Sequence, residues 1–313
     1  MTGERSLAVG VGRAPGQPAA FGVVAAYAET TKFRSVVLLT LGAVVGGLAA
    51  MSGLEGAARA AASARLVWAT VATALGCIGA NAITGYIDRG MDAVMERTRH
   101  RPLPTGRLRP GQVLAFGLVL VAAACAVAGL AVNGWSLAWL VFGVIDSAVL
   151  YNGLTKTRTA WNVVLGSPAG GAPVMVGAAA VSGLPFALVP FLTAALVVAW
   201  TPIHIWSLAI RHVEDYRKAR VPMLPVVAGV PAAARCVGWA SLVLCATAAA
   251  LAVGAGFRPA ALVLTLLLQV PVMAGSLAVM HSPTPERARR LFKLSSPYLA
   301  AVFVIVIWQS LTV

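Results

Sequence analysis

The chain has 313 residues, of which 59% are hydrophobic and only 11% charged, and its net charge is +14. A soluble domain carries about a quarter charged residues, so this composition excludes a water-soluble globular protein and leaves no room for a soluble domain of useful size. The positive excess sits between apolar runs, where membrane topology explains it better than nucleic acid does; no nucleic-acid partner is expected.

From the N-terminus, residues 1–25 are rich in Gly, Ala and Pro and carry Arg5 and Arg13. They lack the long apolar centre of a signal peptide and read as a flexible tail. Residues 26–313 then read as one domain with the lipid bilayer as its solvent. Apolar runs near the ~20 residues that cross a bilayer predict nine spans, at 35–54, 66–87, 111–132, 136–152, 162–183, 184–208, 234–256, 259–280 and 296–313. The fold class expected is all-α: a bundle of nine transmembrane helices with a cavity facing the cytoplasm. No internal repeat is visible. Cys77, Cys125, Cys236 and Cys245 all lie in apolar runs without metal-ligand spacing, and read as buried single thiols.

Nine spans put the two termini on opposite sides. With the N-terminus inside, all of the 24 Lys and Arg fall on the inner side except Arg59, Arg65 and Arg258. This bias predicts a multi-pass protein of the cell membrane with a cytoplasmic N-terminus and an outside C-terminus. Outer loops such as "NGW" at 133–135 are very short, so the chemistry is expected on the cytoplasmic face.

The first polar island follows span 2: "NAITGYIDRGMDAVMERTRHRPLPTG", residues 81–106, with three acids and four arginines. Asp88 and Asp92 are four residues apart, which places both carboxylates on one helical face about 5–6 Å apart at Cβ. Like charges so placed need compensation. Arg89, Arg97, Arg99 and Arg101 offer it at the membrane surface; a divalent cation bridging the pair offers it too. Mg2+ takes one or two carboxylates and completes its shell with water and phosphate oxygens.

Spans 4 and 5 add Asp146, a lone acid in an apolar run, and Lys156, Arg158 and Asn162 at the inner edge, within reach of a phosphate group. "GSPAGGAP" at 166–173 reads either as close helix–helix approach or as a helix broken where it lines a cavity. In span 6, His204 is a polar ring at membrane depth, where it is costly without a partner. A structural hydrogen bond to a neighbouring helix and a place in an acceptor pocket both satisfy it. His100 and His281 read as loop residues.

The second polar island, "WTPIHIWSLAIRHVEDYRKARVPMLPV" at 200–226, sets Glu214 and Asp215 among Arg211, Arg217, Lys218 and Arg220 on the same side. Two acidic islands and many arginines suit a diphosphate ester: acids hold Mg2+, and Mg2+ and arginine hold the phosphate oxygens. The departing diphosphate carries negative charge that preorganised cations stabilise.

These residues resemble those of the UbiA-type intramembrane prenyltransferases, helical bundles of nine spans, and within that superfamily most resemble the protoheme IX farnesyltransferases, or heme O synthases. "YAETTKFRSVVLL" resembles the opening segment of that family. "DRGMDAVMERTRHRPLPTGRL" resembles its first acidic motif, "TKTRTAWNVVLGSPAGGAPVMVGAAAVSG" its fifth-span region, and "RRLFKLSSPYLAAVF" its last span. "WTPIHIWSLAI" followed by "EDYRKARVPMLPVV" resembles its second motif and is the more specific signal. The chain departs from the pattern at Thr84, where the superfamily has Asn, at Gly90, where an Asp is common, at His212, where Arg is expected, and at Phe33, a usual Pro.

The resemblance implies that farnesyl diphosphate is ionised and that a vinyl group of heme B takes the farnesyl cation, with water completing heme O. Asp88 and Asp92 are the catalytic pair and first candidates for Mg2+; Glu214 and Asp215 come second. Arg89, Arg97, Lys156, Arg158, Arg211 and Lys218 are candidates for the diphosphate, and His204, Asn81 and Asn162 for the acceptor. Implied partners include heme A synthase or other oxidase assembly proteins. Two other readings stay open: a UbiA-type enzyme acting on a quinone precursor or cyclising the prenyl chain, and a non-catalytic transporter or heme-binding assembly protein. Few intramembrane charges and acids gathered at one face disfavour transport.

Overall fold

The computed structural model describes residues 20–312 and is all-helical, with no strand among the described residues. Thirteen α-helices follow one another: α1 (Ala20–Thr30), α2 (Phe33–Ala49), α3 (Gly56–Val94), α4 (Pro110–Val127), α5 (Gly134–Ile145), α6 (Asn162–Leu165), α7 (Pro168–Ser182), α8 (Leu188–Arg211), α9 (Val213–Lys218), α10 (Leu224–Val227), α11 (Val230–Gly254), α12 (Pro259–His281) and α13 (Pro285–Thr312). Two π-helical stretches, Ala128–Val132 and Asp146–Thr155, continue α4 and α5.

Eight helical segments are long and apolar enough to cross a membrane, and a ninth forms if α1 and α2, bent by 53° at Thr31–Lys32, count as one. Eight of the nine predicted spans correspond to such segments, and the first corresponds to the bent pair. The expected tail needs correction: residues 20–25 belong to α1, and the rest of it lies outside the described residues. Side chains such as Leu130, 90% exposed, point outward, as the lipid-facing surface of a bundle requires.

α7 forms the centre. It packs against α2, α3, α5 and α8, and every residue from Gly171 to Val181 is buried. Its small residues allow this. A Cβ added at Gly177 would run into the Ala43 carbonyl of α2, and one at Gly46 into the Val174 carbonyl of α7. Backbones come this close only where side chains are absent, the usual way to pack helices when lipid removes the hydrophobic drive.

α3 has 39 residues, about 58 Å at 1.5 Å per residue, against a hydrocarbon core of ~30 Å. The surplus lets its last two turns stand clear of the apolar belt while remaining helical. Those turns carry Asp88 and Asp92.

Candidate active site

Asp88 and Asp92 face the inside of the bundle and are each only 6% exposed. Each is met by a cation from elsewhere in the sequence. Lys156, just past the π-helical end of α5, reaches Asp88 Oδ2 at 2.6 Å and also donates to Asn152 Oδ1 at 3.1 Å. Arg101, from the loop after α3, reaches Asp92 Oδ2 at 2.8 Å. The loop is folded back onto its own helix by Thr98, whose hydroxyl donates to the Asp92 carbonyl at 3.1 Å. Buried charges need such partners. The match is incomplete, because Asp88 Oδ1 is buried with no hydrogen-bond partner.

Three more groups close the site. Arg97 lies against the Tyr216 hydroxyl, and its Nε is buried without a partner. Burial pushes the Tyr216 phenol up from its ordinary value, against the pull of Arg97. Lys32 sits at the break between α1 and α2 with a left-handed backbone, φ 52°, a conformation that costs a non-glycine residue free energy. Asn81 holds this break in place, its Nδ2 donating to the Thr31 carbonyl at 2.8 Å. Lys32 lines a small cleft with Asp92 and Arg101 and, among the described residues, has neither a hydrogen-bond nor an ion-pair partner.

Beneath the charged layer lies an apolar cavity of about 300 Å³, lined among others by Leu39, Cys77, Asn81, Trp139, Tyr151, Val163, Gly166 and Pro173. It falls at the low end of the ~300–1,000 Å³ typical of ligand sites. Gly166 and Ser167 interrupt the helix between α6 and α7 at its wall, where a Cβ at Gly166 would overlap the Tyr151 ring. Both readings of "GSPAGGAP" thus hold: Gly171 serves close packing against Ala194 of α8, while Gly166, Ala169 and Gly170 border the cavity. Asp146 pairs with no cation among the described residues. It accepts the Ala169 N–H at 2.8 Å and caps the N-terminal end of α7, where helix polarity favours a carboxylate.

The other predicted residues divide. Asn81 borders the cavity; Asn162 is buried beside it, donating to the Thr159 carbonyl at 2.6 Å and keeping an unpartnered Oδ1. Glu214 is a correction: it is exposed and pairs with Arg217 on its own helix. Asp215 is buried, but its two oxygens accept the backbone N–H groups of Glu96 at 3.3 Å and Arg97 at 3.2 Å. The expected four-acid metal set is not assembled, and no cluster of three His, Cys, Asp or Glu that could hold an ion occurs among the described residues. His212, between α8 and α9, lies 3.9 Å from Asp215. Burial, helped by Arg97 and Arg211, lowers its pKa.

Among the diphosphate candidates, only Arg97 and Lys156 join the acids. Arg89 is exposed and stacked on Tyr86, 4.2 Å from the ring centre. Arg158 and Lys218 are exposed, and Arg211 is half-buried at the end of α8. Among the described residues none of these four forms an ion pair with an acid. For His204 the structure shows the first of the two readings, a hydrogen bond to a neighbouring helix. Its neighbours Thr201 and Ile205 line the cavity, but the imidazole points to α13, 2.7 Å from Ser295 Oγ and stacked between Trp200 and Phe292.

Sequence reasoning passed over Lys32, Asn152, Tyr151 and Tyr216. Asn152 had a signal, standing four residues before Lys156 on one helical face. Lys32 had a weaker one, as a lone cation preceding an apolar span.

The sequence matches the model of the UbiA prenyltransferase family over residues 46–297. A protein of Desulforudis audaxviator named protoheme IX farnesyltransferase is 41% identical over 285 residues, 89% of this chain and 86% of that one. One of the same name from Thermoplasma acidophilum is 39% identical over 245 residues, 77% of this chain and 84% of that one. A solved structure of a UbiA homologue from Archaeoglobus fulgidus, bound to DMAPP and Mg2+, superimposes with a TM-score of 0.62 at 15% identity, covering 90% of this chain and 98% of that one.

Proposed function

The chain belongs to the UbiA prenyltransferase family and, within it, to the protoheme IX farnesyltransferases, and from that premise we propose that it moves the farnesyl group of farnesyl diphosphate onto a vinyl group of heme B, giving heme O. The observation that carries this reading is the juxtaposition of a buried acid pair, flanked by Lys156, Arg101, Arg97 and Lys32, with an apolar cavity directly beneath. The diphosphate belongs in the charged layer, and the prenyl chain belongs in the cavity.

The residues fit a divalent cation. Asp88 and Asp92 present carboxylates one turn apart, and the orphaned Asp88 Oδ1 is a buried anionic oxygen in need of a ligand. Mg2+ is the fitting ion, since it takes few protein carboxylates and completes its shell with phosphate oxygens; the Archaeoglobus homologue was solved with Mg2+ and a prenyl diphosphate. When bound, such an ion would neutralise charge on the departing diphosphate. The chain's own groups do the rest. Lys156, Arg101 and Arg97 hold the leaving oxygens, and the apolar cavity keeps water from the allylic cation. Tyr151 lines the cavity, and an aromatic ring there stabilises a nearby cation.

By the positive-inside bias the charged layer faces the cytoplasm of a cell membrane, with the N-terminus on that side and the C-terminus opposite. Heme O is an intermediate made for oxidases, so heme A synthase or oxidase assembly proteins are the partners expected to receive it.

The test is product mass after the purified protein is incubated with farnesyl diphosphate, heme B and Mg2+. A farnesylated, hydrated heme is the expected product. Heme left unchanged while 4-hydroxybenzoate is prenylated, or while a free cyclic terpene appears, would refute the acceptor and retain the family.

A further inference from the structure

The apolar cavity has a deep end as well as a mouth. Its lining runs along α3 from Asn81 to Thr73 and along α5 from Ser147 to Trp139, in each case about 12 Å at 1.5 Å per residue. Tyr151 lines it one turn further up, which adds about 5 Å. At the deep end the wall is fixed. Trp139 Nε1 donates to the Pro185 carbonyl, in the loop between α7 and α8, at 2.8 Å. Its ring also meets that of Phe142 edge-on, with centres 5.6 Å apart. Just beyond, Ser136 Oγ donates to the Val176 carbonyl at 3.0 Å and Asn133 Nδ2 to the Ala179 carbonyl at 2.8 Å. These bonds hold α5 against α7, so the cavity cannot lengthen there without breaking them. Extended chains advance about 1.2 Å per bond, so three isoprene units, of four chain bonds each, reach about 14 Å and four reach about 19 Å. The lined length, about 17 Å on the same helical rise, accepts the first and not the second.

We propose that Trp139 is the floor of the prenyl site and sets the length of chain the protein accepts, admitting three isoprene units and turning away a fourth. A fourth unit has to push the indole off Pro185 or fold back within a space of about 300 Å³, and overfilling a packed site is unfavourable. A chain of two units fits but leaves the floor untouched, and forgoes the burial of its last unit. This rests on the assignment of the cavity to the prenyl chain made above.

The experiment uses the full chain in lipid nanodiscs with Mn2+ as the divalent ion. The probes are the unreactive thiodiphosphates of geranyl, farnesyl and geranylgeranyl, and their binding is read by equilibrium dialysis against empty nanodiscs, so no acceptor is needed. Wild type should bind the farnesyl probe at least about tenfold more tightly than the geranylgeranyl probe. Trp139→Ala should erase that preference by tightening the geranylgeranyl probe, and should move the geranyl probe least, because its chain ends short of residue 139. Trp139→Phe keeps a ring but gives up the bond to Pro185. It should shift the preference part of the way, and it carries the test should the alanine variant fold poorly. Equal wild-type affinity for the farnesyl and geranylgeranyl probes would overturn the floor and leave the cavity assignment standing. So would a preference that survives both substitutions. A parallel loss of all three probes in Trp139→Ala would make the residue structural only, and would overturn the inference as well. Wild type that binds none of the three would instead remove the assignment on which the inference rests.

Discussion

The two acidic islands resemble each other in sequence, each a pair of carboxylates among arginines just past an apolar span, but the fold uses them differently. The first is carried on the overlong α3, a continuous helix whose excess length projects Asp88 and Asp92 together into the bundle mouth, where side-chain cations meet them. The second sits on α9, a helix of six residues. There Glu214 and Asp215 are adjacent, so they point in different directions, one to solvent and the other to the backbone of the loop behind α3. The first island meets its surroundings through side chains that can change partners. The second holds fixed backbone donors and so positions the loop that carries Arg97. Spacing decides this: four residues put two acids on one face, and one residue cannot.

The sharpest way to break the contrast is Asp88→Asn or Asp92→Asn. Each removes a carboxylate charge with little change of shape. Farnesyl transfer should fall by at least ~10²-fold, the scale of losing one preorganised electrostatic group, with far-ultraviolet circular dichroism unchanged. Near-normal turnover of both variants at limiting Mg2+ would end the assignment of these acids. For Asp215→Asn we expect a smaller loss, about tenfold, expressed as a higher KM for farnesyl diphosphate. An amide offers one acceptor oxygen where the loop presents two N–H groups, so one donor is left unsatisfied at a cost of about 1–3 kcal/mol. Mn2+ binding with thiodiphosphate should survive. Its complete loss, as in Asp88→Asn, would place Asp215 among the metal ligands and erase the difference between the islands.

What the sequence disclosed follows the same division. Helices and spans were legible because lipid imposes long apolar runs, and the acid pair was legible because its spacing is local. Lys156 was within reach of sequence reasoning through charge and position. For the acid pair the sequence offered four arginines beside a divalent cation, and the turn stabilised by Thr98 brings Arg101 to Asp92. Lys32, Tyr151 and Tyr216 come to the site through helix packing and through a bend at Thr31–Lys32, which no periodicity encodes. Composition cannot tell inward from outward: Arg89, Arg158 and Lys218 are exposed, whereas Lys156 turns to Asp88. His204 stayed open for a related reason, since a polar ring at membrane depth announces a need for a partner without saying whether a ligand or Ser295 supplies it.

His204 offers a milder test, outside both islands. Replacing it by Phe keeps a flat ring between Trp200 and Phe292 and gives up the contact with Ser295, whose hydroxyl retains the Phe292 carbonyl as its own acceptor. The expected cost is about 1 kcal/mol of stability, the net worth of one hydrogen bond, visible as a modestly lower melting temperature. KM for heme B should be unchanged. A selective rise in that KM without a change in melting would return His204 to the acceptor site.

The smallest effect is expected at Glu214, next to the residue for which a clear loss is expected. Its carboxylate is 67% exposed and paired with Arg217, itself 54% exposed, three residues along the same short helix. Exposed pairs of this kind contribute between nothing and about 1 kcal/mol, because water screens the charges and both side chains must be ordered to meet. Glu214→Gln should therefore leave kcat, KM for farnesyl diphosphate and Mn2+ binding within error of wild type, and melting within about 0.5 kcal/mol. Made beside Asp215→Asn, it isolates direction from charge: both variants neutralise one acid of the same pair, on the same turn, at the same end of the bundle. If Glu214→Gln weakened Mn2+ binding as much as Asp215→Asn does, the second island would act through its summed field and not through the two hydrogen bonds that hold the loop.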